Sequence, residues 1–140
     1  MNLDNISDLL DRELRHLHSM EARLFDELAR LGDRVTLPEL ALLVRRSRAL
    51  TVWHRERLRS VPRANGLDLV GEPCPGLSAI LHESNAFVDR VRDPSVRDVA
   101  IVATLRRLGA LARTYYESAR RHAELLREPV AVEIFERNLE

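Results

Sequence analysis

Three side chains of types that bind metal ions fall on stretches whose spacing predicts buried helix faces. Glu21 interrupts a stripe of leucines between Leu17 and Leu24, His54 lies on the stripe of a second predicted helix, and Glu83 borders that of a third. A carboxylate on a core stripe costs several kcal/mol unless it is paired or bound to metal. If the three side chains converge, two oxygens and one nitrogen form a donor set suited to iron, manganese or zinc.

Each of these residues also has a plainer interpretation. Glu21 can lie at the edge of its stripe and reach solvent or an arginine. A lone histidine such as His54 on an apolar face is more often a hydrogen-bonded core residue than a metal ligand. Glu83 can be a carboxylate on the rim of its helix. The pattern leaves both interpretations open.

The sequence contains no motif typical of a catalytic site. It has no H-E-x-x-H, no glycine-rich phosphate loop and no G-x-S-x-G. His16 and His18 are two residues apart, so on a helix they point in different directions. Cys74, the single cysteine, lies between two prolines without a paired histidine signature. These observations exclude a disulfide within the chain and a multi-cysteine metal site, and they disfavour a catalytic thiol.

A second anomaly is a glycine inside a predicted helix. Gly109 costs about 1 kcal/mol relative to alanine there, and Ala110 and Ala112 add little side-chain volume beside it. A large residue such as Trp53 or Phe25 can fill the gap, two helices can approach closely, or a cavity can remain. Because protein interiors rarely keep voids, we expect filling or close approach.

The residues above are positioned by five segments with helical periodicity and none with strand-like alternation. In the second segment, Thr36 and Glu39 form a capping-box pattern, and the predicted core stripe includes Leu43 and Leu50. Four long amphipathic helices and a short one predict an all-α fold, an up-and-down four-helix bundle forming a single domain over residues 1–140. The first segment is expected to end in a C-terminal cap at Gly32, and the fourth is long enough that a bend or break is expected to be possible. The expected segments are about Ser7 to Leu31, Thr36 to Val61, Leu77 to Val91, Asp93 to about Leu126, and Glu128 to about Leu139.

Composition narrows the class of protein. The 140 residues carry 22 basic and 22 acidic side chains, and every basic one is arginine. The N-terminus is polar and acidic, unlike a signal peptide. The longest nearly apolar stretch, Val99 to Leu105, is far shorter than a membrane span. We expect a soluble cytoplasmic protein with no membrane partner.

Charge is distributed unevenly between the first two segments. Seven arginines lie between Arg45 and Arg63 against one acid, Glu56, whereas Met1 to Asp33 holds eight acids and four arginines. Antiparallel helices of opposite charge explain this more simply than nucleic acid, which would need arginines on one face with aromatic partners. Only Trp53 is nearby, so no nucleic-acid partner is expected.

The order of several motifs resembles the YciE/YciF group of bacterial ferritin-like stress proteins over nearly the whole chain. The first helix resembles the family's E-L-R-D-L-Y-D-A-E signature, and Tyr116 is similar to the tyrosine that closes its E-H-Y-E-I-A-x-Y motif. The matching stretches are Glu13 to Glu21, Glu56-Arg57-Leu58 with Val61, then Gly66, Gly71 and Cys74, Leu77 to Glu83, Asp93-Pro94 with Val96 and Asp98, and Tyr116.

This resemblance implies a ferritin-like bundle, a dimer, and a di-iron carboxylate centre between helices. Glu21 keeps the first-helix glutamate of that centre, and Glu140 matches the start of a final acidic pair. In the second helix the family's H-x-x-E-T motif becomes Ser47, Leu50 and Thr51, so an aliphatic group replaces its carboxylate. In the fourth helix the family's E-H-x-E motif becomes Gly109, Ala110 and Ala112. About six donors are needed for two metal ions, and these residues do not supply them.

The sequence therefore favours a non-catalytic ferritin-like protein without cofactor. It would be a homodimer with a structural or protein-interaction role in a stress-related setting. The alternative is a protein that holds a single iron, manganese or zinc ion through Glu21, His54 and Glu83.

Overall fold

A computed structural model describes residues 3–70 and 72–140. Within these ranges the fold is all-α, as predicted, with no strand. No helix in the described part of the chain is both long and apolar enough to cross a membrane. The helices are α1 (Ile6–Arg34), α2 (Pro38–Arg59), a short 3₁₀ helix (Pro62–Gly66), α3 (Pro75–Asp89), α4 (Pro94–Leu125) and α5 (Pro129–Leu139).

Helix α1 begins where predicted and ends later. The Asn5 side chain caps its N-terminus by accepting a hydrogen bond from the Asp8 backbone N–H, 2.9 Å away. The predicted C-terminal cap at Gly32 is wrong, since the helix continues to Arg34. A Cβ on Gly32 would lie 3.3 Å from the Val44 side chain, so this glycine permits a close approach of α1 and α2.

The start of α2 is held by a different residue from the one predicted. Thr36 makes no capping box with Glu39, and the residue that flanks the helix, Leu37, has no side-chain cap. Instead the Asp98 carboxylate on α4 accepts hydrogen bonds from the backbone N–H groups of Thr36 and Leu37 at 3.0 and 2.9 Å. The Thr36 hydroxyl donates to it at 2.7 Å. These bonds lower the pKa of Asp98 and fix the start of α2 beside the start of α4.

Helix α4 is continuous over 32 residues, so the possible break is not present. Its predicted N-cap is confirmed, because the Asp93 side chain accepts hydrogen bonds from the N–H groups of Ser95 and Val96. After α4, Arg127 takes a left-handed conformation with φ of 54°, which turns the chain into α5 at Pro129.

Helix α1 lies at the centre of the packing. It contacts both α2 and α4, while α5 packs on α4 and touches α2. Helix α3 packs on α4. The buried core follows the leucine stripe of α1, and Leu10, Leu14 and Leu17 are fully buried in it.

The face of α2 that was predicted to be buried is partly open. Leu43 and Leu50 lie at one edge of the predicted stripe and are 55% and 50% exposed, whereas its other members Leu40, Val44, Thr51, Leu58 and Val61 are buried as predicted. Periodicity identifies an apolar face but does not show that a neighbour covers it.

Basic α2 and acidic α1 pack against each other, as expected, but few direct ion pairs join them. In the described residues, the arginine–carboxylate contact that joins these parts of the chain is Arg63 with Asp11, at 2.8 Å. Arg59 pairs with Glu56 of its own helix, and Arg48 donates to the backbone carbonyl of Phe25. Most of the α2 arginines therefore make no direct ion pair with α1 in the described residues.

Burial of histidines makes stability depend on pH. Burial is the largest cause that lowers the pKa of His16, His18 and His122 below their ordinary value of 6.5. The unfolded chain then binds protons that the folded chain resists, so the free energy of unfolding falls as pH decreases from 7.5 through 6.5 toward 6. The slope is at most about 1.4 kcal/mol per pH unit for each histidine.

Urea unfolding followed by circular dichroism at several pH values measures this slope. We expect His18→Gln to flatten it, whereas His82→Gln, at an exposed position, leaves it unchanged. Stability that stays constant or rises between pH 7.5 and 6 would contradict the prediction.

Candidate functional site

Four polar side chains from four different helices meet in the core. We call Glu21 of α1, His54 of α2, Tyr116 of α4 and Asn138 of α5 the Glu21 network. The Tyr116 hydroxyl donates to Glu21 Oε1 at 2.8 Å, and His54 Nδ1 lies 3.1 Å from the same oxygen. Asn138 Nδ2 donates to the Tyr116 hydroxyl and to the His54 carbonyl, each at 3.2 Å.

Burial makes these hydrogen bonds important to the fold. Glu21, Tyr116 and Asn138 are at most 5% exposed, and a buried carboxylate without donors is strongly destabilising. Burial and the adjacent Glu21 carboxylate raise the pKa of Tyr116 well above 10, so its phenol keeps the proton that it donates. Arg57 donates to Asn138 Oδ1 at 3.3 Å and extends the network toward the surface.

The structure brings together two of the three predicted metal ligands. Glu21 and His54 are in contact, but Glu83 is exposed on α3, which packs on the outer side of α4. Across residues 3–70 and 72–140, no three His, Cys, Asp or Glu side chains are close enough to share a metal ion. Glu83 therefore does not complete the predicted donor set.

Two members of the network were not predicted as partners of Glu21. Tyr116 had appeared only as part of a motif, and Asn138 had not been singled out. Asn138 follows the fully buried Phe135 by three residues, so it lies on the same face of α5. A polar residue at that spacing was the signal available in the sequence.

A cavity of about 250 Å³ lies directly beside Glu21. Its apolar lining comes from leucines of α1, α2 and α4, and Arg113 lies at its edge. The cavity is also lined by Ser47, Leu50 and Thr51 of α2 and by Gly109 and Ala112 of α4. Four of these five, Ser47, Leu50, Gly109 and Ala112, are positions at which the family resemblance expects metal ligands.

The donor set around this cavity does not fit two metal ions. Ser47 and Thr51 offer neutral hydroxyls, Leu50, Gly109 and Ala112 offer no side-chain donor, and a dinuclear centre needs bridging carboxylates. Oxygen Oε1 of Glu21 already accepts from Tyr116 and lies within hydrogen-bond distance of His54. The residues present thus disagree with a di-iron centre.

The space beside Gly109 is open, which corrects the expected filling or close approach. A Cβ built on Gly109 would meet no heavy atom within 4 Å, and the residue is exposed. Trp53 is itself 62% exposed, while Phe25 lies under the Arg48 guanidinium, 3.8 Å from its ring centroid. Neither side chain fills the gap.

Because no neighbour occupies this space, Gly109→Ala should stabilise the protein. We expect the free energy of unfolding to rise by about 0.5–1 kcal/mol through the higher helix propensity of alanine. Thermal unfolding followed at 222 nm measures the change. The matched control is Gly76→Ala, whose Cβ would lie 3.1 Å from the Tyr115 hydroxyl oxygen and should give a smaller gain or a loss. A loss for Gly109→Ala would show that this space is not open.

Comparison with known proteins places the chain in a family. Two solved structures share its fold. YcfI of Rhodopseudomonas palustris, provisionally described as a structural protein, has a TM-score of 0.93 and 24% identity, covering 99% of this chain and 88% of YcfI. The Escherichia coli stress protein YciF has a TM-score of 0.90 and 21% identity, covering 98% of this chain and 87% of YciF.

No curated protein matches the sequence. A family model does match residues 5–140, and it is described as "Domain of unknown function (DUF892)". The fold agrees with this match, since YciF was also the family group that the sequence motifs resemble. The chain therefore belongs to the DUF892 family of YciF-like proteins.

Proposed function

We propose that this protein is a non-catalytic, ferritin-like helical bundle that acts through contacts with other protein chains. It acts in the cytoplasm in a stress-related role. It uses no cofactor and binds neither nucleic acid nor a membrane. The descriptions of YciF as a stress protein and of YcfI as a structural protein support this role.

The Glu21 network is the observation that carries the proposal. The carboxylate that the resemblance assigns to metal is held by a phenol and an imidazole of the protein itself. The positions that would supply further ligands carry a hydroxyl group, an aliphatic side chain or no side chain. Protein hydrogen bonds stabilise the buried charge in place of a metal, and no donor set for oxidative chemistry surrounds it.

Metal analysis of protein purified without chelators tests the proposal. We expect less than about one metal ion per ten chains by elemental mass spectrometry, and no peroxide consumption. Glu21→Ala should leave that low content unchanged. Stoichiometric iron, or turnover of peroxide by the pure chain, would overturn the proposal.

A single-ion protein is the second candidate, and the contact between Glu21 and His54 favours it. One oxygen and one nitrogen donor stand 3.1 Å apart beside a cavity, where solvent can complete the shell of an iron, manganese or zinc ion. Equimolar metal that is lost in both Glu21→Ala and His54→Ala would establish this alternative. Loss in Glu83→Ala as well would restore the full predicted donor set.

We propose further that the chain forms a homodimer through the outward face of α2. Leu42 and Trp53 lie on that face, eleven residues apart, and their exposed fractions are 42% and 62%. Antiparallel packing of two α2 helices sets Leu42 of each copy against Trp53 of the other. The same register places Glu39 opposite Glu56 of the second copy and one residue from its Arg57, so apolar contact and not charge would hold this interface.

Light scattering coupled to size-exclusion chromatography tests the dimer. We expect twice the 16.1 kDa chain mass for the native protein and a single chain mass for Trp53→Glu. Phe87→Glu is the matched control, because Phe87 is 51% exposed on α3, away from α2. A monomeric native protein, or equal effects of the two variants, would contradict this interface.

A further inference from the structure

The pair Asn65-Gly66 is the one place in the chain where a glycine follows an asparagine. It lies at the end of the short 3₁₀ helix Pro62–Gly66, between α2 and the segment that leads to α3. In such a pair the glycine nitrogen can attack the side-chain amide carbon of the asparagine, because glycine has no Cβ to block the approach. Whether this attack takes place in a folded protein depends on access and on the freedom of the local backbone.

Both residues of the pair are accessible. Asn65 and Gly66 are exposed, and a Cβ built on Gly66 would meet no heavy atom within 4 Å. Within residues 3–70 and 72–140, no hydrogen bond engages the Asn65 side chain. The amide under attack is therefore in solvent and free to rotate.

The backbone around the pair is held weakly. A 3₁₀ helix of five residues has poorer hydrogen-bond geometry than an α-helix. The turn closes with a bond of 3.2 Å from the Leu67 N–H to the Ala64 carbonyl, and helix ends open locally at little cost in free energy. Opening of this turn lets Asn65 rotate until its side chain faces the Gly66 nitrogen.

The other asparagines in the described part of the chain lack this combination. Asn5 precedes a β-branched residue, and its side chain already accepts a hydrogen bond at 2.9 Å. Asn85 precedes an alanine inside α3, and Asn138 precedes a leucine and is 5% exposed. Sequence and structure together therefore restrict the reaction to Asn65.

We propose that Asn65 is a site of spontaneous deamidation in the folded protein, and that its isoaspartate product loosens the attachment of this turn. The Gly66 nitrogen forms a bond to Cγ of Asn65, the bond from Cγ to the side-chain nitrogen breaks, and ammonia leaves with the proton of the Gly66 N–H. Water then opens the cyclic imide at either carbonyl, which gives aspartate or isoaspartate. One neutral amide becomes one carboxylate, and no cofactor or oxidant takes part.

The isoaspartate product changes the backbone as well as the charge. Its main chain runs through the side-chain carbons and is one atom longer. The chain is fixed on both sides of position 65, since Ala64 is 6% and Leu69 8% exposed. Arg63 also binds Asp11 and Glu128 at 2.8 and 2.6 Å. The added atom therefore strains these contacts, whereas aspartate leaves the backbone as it was.

Incubation of the full chain at pH 8 and 37 °C tests the proposal. Cleavage after arginine releases residues 64–90 as one peptide, which contains both Asn65 and Asn85. Mass spectrometry should locate a gain of one mass unit at Asn65 and none at Asn85. An isoaspartate methyltransferase with labelled S-adenosylmethionine should label the incubated chain and not the fresh one. A synthetic peptide of residues 62–68 gives the unfolded rate, and we expect the folded chain to react within tenfold of it.

Two variants separate the reaction from its consequence. Gly66→Ala fits the open space beside the backbone and should slow the reaction at least tenfold, because its Cβ hinders the attack. Asn65→Asp carries the new charge on a normal backbone and should unfold at the same urea midpoint as the fresh native chain. Isoaspartate-containing chains, separated by ion exchange, should unfold at a lower midpoint than either. Circular dichroism confirms that each variant is folded.

Four outcomes would overturn the proposal: a rate at Asn65 below a tenth of the peptide rate, equal conversion at Asn85, a rate that Gly66→Ala leaves unchanged, or an isoaspartate form with the native urea midpoint. These measurements are independent of the metal and dimer tests of the proposed function.

Discussion

Phe135→Ala lowers the free energy of unfolding by about 3–5 kcal/mol, the range for removal of a buried aromatic ring. Phe135 is fully buried on α5, and its ring centroid lies 6.5 Å from that of Tyr116. A void there removes contacts that the backbone cannot recover by small shifts. Since domains of this size have total stabilities of about 5–15 kcal/mol, the loss is a large part of the whole.

Urea unfolding followed by circular dichroism measures this effect as a lower midpoint at an unchanged slope. Val130→Ala is the control on the same helix, because Val130 is 52% exposed and its truncation should change stability by less than about 0.5 kcal/mol. A loss below about 1 kcal/mol for Phe135→Ala would mean that α5 is not packed on the core, and the Glu21 network would then lack its Asn138 member.

The helices themselves were predictable because their apolar residues recur at three- and four-residue spacing and because proline follows a good N-cap at Asp93. Their ends were less predictable where a distant residue supplies the cap. Thr36 had the sequence of a capping box, yet its hydroxyl and N–H bind Asp98, 62 residues away. Such a choice depends on tertiary packing, which local spacing does not contain.

The candidate site could be predicted only in part, because contacts between distant residues also depend on tertiary packing. Glu21 and His54 each lie on an apolar stripe, so spacing indicated that they face the core, where Glu21 is buried and His54 is half-buried. The partners of Glu21 could not be inferred from spacing, since the contact with Tyr116 joins residues 95 apart. Glu83 borders an apolar face, so spacing left open whether it is a ligand or a carboxylate on the rim of its helix, and the structure places its side chain in solvent.

Coverage of a face was the least predictable property. Leu43 and Leu50 have the spacing of core residues and are about half exposed, because they lie at the edge of a stripe whose buried centre holds Leu40 and Val44. Gly109 likewise lies on a predicted core face, yet no neighbour comes within 4 Å of a Cβ built on it. Spacing identifies an apolar face, and tertiary packing determines whether it is covered.

Tyr116→Phe tests whether protein hydrogen bonds hold the buried carboxylate. The variant removes the 2.8 Å donation to Glu21 Oε1 and leaves Asn138 Nδ2 with one acceptor fewer. A hydrogen bond to a charged group contributes about 1.5–3 kcal/mol, so we expect a loss of that size in urea unfolding. Glu21→Leu should also destabilise, because the Tyr116 hydroxyl and His54 Nδ1 then lack their acceptor.

The double variant Glu21→Leu with Tyr116→Phe distinguishes this network from two independent defects. It removes the carboxylate together with the phenol hydroxyl, and replacement of a buried polar set by apolar groups is often neutral or stabilising. We expect a loss at least about 1.5 kcal/mol smaller than the sum of the single losses. The control pairs Glu21→Leu with Thr104→Val, a buried site twelve residues before Tyr116 on α4, where losses should add within about 0.5 kcal/mol. Additive losses in the first pair would mean that Glu21 is stabilised by something other than Tyr116, and a bound ion would then be the better explanation.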